Sequence, residues 1–128
     1  MDGGGRNKVS AAGIRKFMEA VAMKANRDEE TKRTMREWVG RYHGKIIQFE
    51  TDPENFYLAV QNNRMEVRPG NNPSPDLTIR APSKVIVDVF TGRRRFGDAM
   101  RSWDLLLIGA GHEAFQLSRV IMAVMLAA

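Results

Sequence analysis

Gly109-Ala110-Gly111-His112-Glu113-Ala114 is the densest group of residues whose types and spacing could do chemistry. Set between the apolar run Leu105 to Ile108 and a helical stretch, Gly109-x-Gly111-x-x-Ala114 has the spacing of a turn that cradles a dinucleotide pyrophosphate. Such a turn needs another strand and an acidic residue roughly 20 positions further on to hold the ribose, and neither follows in the residues up to Ala128. His112-Glu113 opens like the zinc-binding motif His-Glu-x-x-His, but Phe115 and Gln116 follow, His43 is the one other histidine, and no second ligand is supplied. Asp28, Glu29 and Glu30 fall where a helix begins, a place that attracts acids without any catalytic role. Ser10, Ser74, Ser83, Ser102 and Ser118 lack the flanking glycines of a nucleophile elbow. These residues make no catalytic constellation, so the expectation is a protein that is not an enzyme and that uses neither metal nor cofactor.

Arg93, Arg94 and Arg95, with Phe96 beside them and Arg101 close by, form the densest positive patch. A nucleic-acid surface needs a broad basic stripe with further aromatics, whereas Asp98 and Asp104 flank this one. Nucleic acid is therefore disfavoured as a partner. The patch reads as a solvated face or as a contact for an anionic group, such as a phosphate or the headgroups of a membrane surface met transiently.

The elements that must position these groups can be read from composition and period. The chain has 128 residues, 43% of them hydrophobic, and a formal charge of +5, which fits one globular domain large enough to need no disulfide or metal staple. Cysteine is absent, which excludes thiol catalysis, Cys-ligated zinc, iron–sulfur clusters and a disulfide framework. Residues 1–8 are glycine-rich and polar, read as a flexible tail without the basic-then-apolar pattern of an export signal, so a cytoplasmic location is expected. The apolar run Val120 to Ala128 is shorter than the roughly 18 residues a membrane span requires.

Residues 9–128 read as a single domain that begins with a helical segment, 9–43. Ser10 is the expected cap of a first helix, with Ile14, Phe17, Met18, Val21 and Ala22 at helical spacing; a second runs from about Glu29 to Tyr42 and ends at Gly44. The period then changes. Lys45 to Thr51, Asn55 to Gln61 and Arg64 to Arg68 alternate polar and apolar residues as an antiparallel meander. A Pro- and Asn-rich loop leads to a fourth strand, Asp76 to Arg80, and Pro82 and Ser83 open a helix closed by Gly92. A short helix through Phe96, Ala99 and Met100, a fifth strand from Trp103 to Ile108 and a last helix from His112 complete the domain. The second half of that last helix is apolar on every side, so it must be buried all round or cover something apolar. The order describes an α+β domain with a mainly antiparallel sheet covered on one face by helices.

From Asp76 to Leu117 the chain resembles the sterol carrier protein type two family of lipid-binding domains. The resemblance rests on Asp76-Leu77-Thr78-Ile79, Phe90-Thr91-Gly92, Ala99-Met100 and Ser102-Trp103-Asp104-Leu105-Leu106-Leu107-Ile108-Gly109, in the family's order, with the meander Lys45 to Arg68 matching its first three strands. It implies a five-stranded sheet and helices enclosing an apolar tunnel for a fatty-acyl, sterol or isoprenoid-like lipid, with no catalytic residues. It further implies that Leu77, Ile79, Leu105 and Leu107 point inward from the strands, and that Phe90, Phe96, Met100, Phe115, Ile121, Met122 and Met125 line the tunnel from the helices. Trp103 stands where the family has glycine, and an indole there is expected to narrow the tunnel mouth. Leu106 and Ile108 replace outward lysines. Apolar residues on the outer face of an edge strand are a liability unless covered, so a second copy of the chain or the helix around Trp38 is expected to bury them. The alternative to lipid carriage is a homodimeric or enzyme-docking module with a closed cavity.

Overall fold

Alternation along Lys45-Ile46-Ile47-Gln48-Phe49 sends Lys45, Ile47 and Phe49 to one side of an extended chain, and this parity recurs in every later strand. The computed structural model, which describes the backbone of residues 2–127 and the side chains of residues 13–126, assembles the strands on that basis. In chain order the elements are α1 (Asp2–Ala25), α2 (Glu29–Val39), β1 (Lys45–Glu50), β2 (Phe56–Gln61), β3 (Arg64–Pro69), β4 (Leu77–Arg80), α3 (Ser83–Phe90), α4 (Phe96–Arg101), β5 (Leu106–Gly109) and α5 (His112–Ala127). The five strands lie in the order β3-β2-β1-β4-β5. All pairs are antiparallel except β1 with β4, which run parallel.

The register stacks apolar side chains in rows. Ile47 lies between Leu58 and Leu77, and Phe49 between Phe56 and Ile79, with Leu107 next to Ile79 at the β5 edge. Met65 and Val67 extend the layer at the other edge. All five helices add to the core on this layer, among them Met18 and Val21 of α1, Met35 and Trp38 of α2, Ile86 of α3, Ala99 of α4, and Leu117 and Val120 of α5. Among the described residues, no helix adds to the core from the opposite face. The loop between β3 and β4 crosses it and buries Gln48, whose amide nitrogen donates to the Gly70 carbonyl at 3.1 Å and whose oxygen accepts from the Asn72 N–H at 2.8 Å.

Local chemistry sets several boundaries. Asp28 caps α2 by accepting from both the hydroxyl and the N–H of Thr31, at 2.6 and 2.9 Å. The helix ends at Gly40, with φ +57°, rather than continuing to Tyr42 and Gly44. Gly44 instead sits against β2, where a Cβ would stand 2.7 Å from the Val60 carbonyl oxygen. The first helix starts at Asp2, ahead of the expected cap at Ser10 and within the stretch read as a tail; the Ser10 side chain lies outside the described residues.

The fifth strand is shorter than its apolar pattern predicts. The Trp103 N–H donates to the Met100 carbonyl at 3.1 Å, and the Asp104 N–H reaches back to the Ala99 carbonyl at 2.9 Å. This is the paired bonding of a Schellman cap, with Trp103 in the left-handed region at φ +61°. Trp103 to Leu105 therefore close α4 instead of joining the sheet.

Candidate functional site

The last helix, α5, carries two apolar faces. Ala114, Leu117, Val120, Ile121 and Val124 are buried against the core. Phe115, Met122 and Met125 are exposed, by 62%, 61% and 48%. Helical spacing separates the two sets: positions 117, 120, 121 and 124 share one stripe, and 115, 122 and 125 another. The second stripe faces a cavity of about 650 Å³ that is walled on its other sides by the end of α3, the turn into α4, α4 itself and β5.

The wall is built mainly from apolar groups. Val89 and Phe90 close it from α3, Phe96 and Met100 from α4, and Leu107 from the β5 edge. A run of rings ties this wall to the sheet: Phe90 meets Phe49 edge-on at 6.3 Å between centroids and Phe96 at 5.2 Å, and Phe96 lies 6.2 Å from Phe115. The two contacts of Phe90 have the edge-to-face geometry that aromatic pairs favour, and the Phe96–Phe115 pair is tilted. Met100, Met122 and Met125 supply flexible thioether chains where the cavity opens to solvent.

Two guanidinium groups stand at its border. Arg94 pairs with Asp104 at 2.7 Å, and Arg95 is exposed. No described acidic side chain lines the cavity; Thr91 and Ser118 are its other polar side chains. The Thr91 hydroxyl is already committed to the Val87 carbonyl at 2.7 Å.

Of the residues singled out from sequence, the structure gathers Phe90, Phe96, Met100, Leu107, Phe115, Met122, Met125, Arg94 and Arg95 around this space. Leu77, Ile79, Leu105 and Ile121 are also inward, but each is packed into the solid core at 2% exposure or less. None of the four lines the cavity. Arg93 is exposed and outside the wall. Trp103 does not narrow the mouth: it is 84% exposed and borders a separate depression with Glu50, Arg80, Pro82 and Leu106. Its place in the α4 cap accounts for this, because the chain turns there before the strand begins.

Leu106 and Ile108 do point outward, at 37% and 42% exposure. The helix around Trp38 does not cover them, since α2 packs against α5 and β2. Sequence reasoning missed what holds that helix. The Trp38 indole N–H donates to Glu113 Oε1 at 2.8 Å, and Lys45 Nζ lies 2.6 Å from Glu113 Oε2. Glu113, in the first turn of α5, is 2% exposed. Strand parity does carry the signal, because it puts Lys45 on the inner face with Ile47 and Phe49. The cavity residues that sequence reasoning missed are Val89, Thr91, Gly92, Gly97 and Ser118; Thr91 and Gly92 fall in the Phe90-Thr91-Gly92 motif, whereas Val89, Gly97 and Ser118 carry no comparable mark.

Residues 22–121 match the SCP-2 sterol transfer family. The chain belongs to that family. No curated protein matches the sequence significantly, but solved structures share the SCP-2 fold. The ubiquinone synthesis protein UbiJ-SCP2 superposes with a TM-score of 0.69 at 17% identity, covering 93% of each chain. The apo form of sterol carrier protein 2 from Yarrowia lipolytica gives 0.65 at 14% identity over 87% of this chain and 88% of its own. Sterol carrier protein domain 2 of Helicoverpa armigera gives 0.63 at 16% identity, covering 85% of both. The α+β architecture with its five-stranded sheet is thus the SCP-2 fold.

Proposed function

We propose that the protein binds one apolar lipid non-covalently, with a fatty-acyl, sterol or isoprenoid-like body in the cavity between α3, α4, β5 and α5 and any acidic end beside Arg94 and Arg95. The cavity of about 650 Å³ walled by Phe90, Phe96, Leu107 and the α5 methionines carries this reading. Its size falls among pockets that hold small ligands. Membership in a sterol transfer family supports it, and the ubiquinone-synthesis neighbour lends weight to the isoprenoid class.

The binding energy comes from displacing water. Each methylene buried contributes about 0.8 kcal/mol, so ten contribute about 8 kcal/mol, from which the cost of association, at least about 4 kcal/mol, is subtracted. A short chain is therefore held weakly and a long one tightly, with little demand for polar contacts. Affinity rising steeply with chain length follows directly. The test is native mass spectrometry after mild purification, combined with displacement of a fluorescent fatty acid by unlabelled lipids. A mass added by one lipid and a saturable displacement curve are expected; a bare mass together with a probe that never binds would overturn the reading.

A second reading has its own observation. Leu106 and Ile108, exposed on an edge strand, with Leu106 bordering the same depression as exposed Trp103, fit a contact with a second copy or an enzyme.

A further inference from the structure

The two edges of the sheet are finished differently. At the β3 edge the Asn26 side chain stands in for a further strand: its amide nitrogen donates to the Met65 carbonyl at 2.9 Å, and its oxygen accepts from the Met65 N–H at 2.8 Å. Arg64, Glu66, Arg68 and Pro69 lie on the same strand, and charges and proline are devices that keep an edge from pairing with another chain. The β5 edge has neither. Leu106-Leu107-Ile108-Gly109 carries no charge and no proline, and Leu106 and Ile108 are exposed.

Backbone alternation fixes which groups that edge offers. The Ala81 N–H donates to the Glu50 carbonyl at 3.2 Å, so Ala81 and Ile79 turn toward β1, and the Ala110 N–H donates to the Asp76 carbonyl at 3.0 Å. Thr78 and Arg80 therefore turn their backbone groups toward β5, where they meet Ile108 and Leu106. Because a trans peptide sets its C=O and N–H on opposite sides, Leu107 and Gly109 turn theirs away from the sheet. Among the described residues, no turn, loop or cap backbone bonds to them.

We propose that β5 pairs with β5 of a second copy, antiparallel about a two-fold axis through Ile108, to make one continuous sheet. In that register Leu107 and the partner's Gly109 exchange N–H and C=O bonds, and Gly109 does the same with the partner's Leu107. A shift by two residues in either direction brings fewer strand residues into bonded pairs. Ile108 then stands opposite the partner's Ile108, with Leu106 diagonal to it, so the exposed apolar side chains of each copy cover those of the other. The flanks match as well. Asp104 precedes Ile108 by as many residues as His112 follows it, and the axis turns each exposed carboxylate toward the partner's exposed imidazole, with no like charges facing. A foreign strand would gain the backbone bonds alone; the self-matching of register, side chains and flanks selects a second copy. The pairing rests on the second reading above, that Leu106 and Ile108 meet protein, and is independent of the cavity, which Ile108 does not wall.

Light scattering on the full chain at micromolar and higher concentration tests it, together with hydrogen exchange of the backbone amides read by NMR. The wild type is expected to have twice the mass of one chain, with the Leu107 and Gly109 N–H groups exchanging about tenfold or more slowly than in a monomeric variant. Ile108→Lys and Ile108→Glu each set like charges opposite one another at the axis, so both should be monomeric while keeping the wild-type affinity for the fluorescent fatty acid. Mixed in equal amounts they should form a mixed dimer, because Lys then faces Glu. A monomeric wild type would overturn the proposal and leave an enzyme as the partner of the second reading. A dimer that both variants dissolve and their mixture does not restore would overturn the pairing while keeping a second copy on this face. A dimer that Ile108→Lys leaves intact, or one whose Leu107 and Gly109 amides exchange as fast as in the monomeric variant, would overturn it too.

Discussion

Trp103 occupies a backbone position that glycine adopts at little cost. The left-handed region is unfavourable by about 1 to 2 kcal/mol for a residue with a Cβ, and the indole is too exposed to regain much of that by packing. Trp103→Gly should therefore raise stability by about 1 kcal/mol, read as a higher urea midpoint at unchanged slope. Glu113 is the opposite case. Its two oxygens satisfy Trp38 and Lys45 in the interior. Glu113→Gln keeps an acceptor for the indole but leaves the Lys45 ammonium buried without a counter-charge, so a loss of about 3 kcal/mol or more is expected. Adding Lys45→Met removes the stranded charge and should recover most of that loss, as urea denaturation of the single and double variants would reveal. The left-handed φ of Trp103 lies outside what an apolar pattern can report, since Trp103 to Ile108 looks like an uninterrupted strand. The Glu113 pairing depends on residues 68 positions apart in the chain, Lys45 and Glu113, and only the inward parity of Lys45 foreshadowed it.

Among the elements, α2 is held at its start by a charge. The hydroxyl and then the N–H of Thr31 hold the Asp28 carboxyl below the usual carboxylate range. A carboxyl lowered in the folded state adds stability above its unfolded value and loses it as pH falls through the folded one. The contribution of the cap should thus be complete at neutral pH and disappear in acid, below the ordinary carboxylate value. Asn caps helices about as well without titrating, so Asp28→Asn should fold comparably at pH 7 and show a flatter acid limb in a thermal melt series. The cavity is likewise a matter of elements. Leu107, half-buried on β5, forms part of its inner wall, and Leu107→Trp should fill it, lowering probe affinity by about tenfold or more while costing about 1 to 3 kcal/mol of stability if the core is strained. An unchanged affinity in a displacement titration would place the ligand elsewhere.

Across the whole molecule, the face of β5 that carries exposed Leu106 and Ile108 separates carriage from assembly. Leu106→Lys alters only that face, so a fall in mass by light scattering with unaltered lipid binding is the expected mark of a second copy there; an unaltered mass would remove that reading. The order of strands and helices, the inward parity of Ile47, Phe49, Leu77 and Ile79, and the apolar surround of α5 were all present in the sequence. They follow from periods of two and 3.6 residues, which neighbouring positions set by themselves. Tertiary structure alone decided which of those inward and apolar side chains meet another side chain and which meet a void. Leu77, Ile79 and Ile121 fill the core, whereas Phe96, Leu107 and Met122 wall the cavity, because that outcome depends on how closely α4 and α5 approach the β5 edge and not on the period of any one segment.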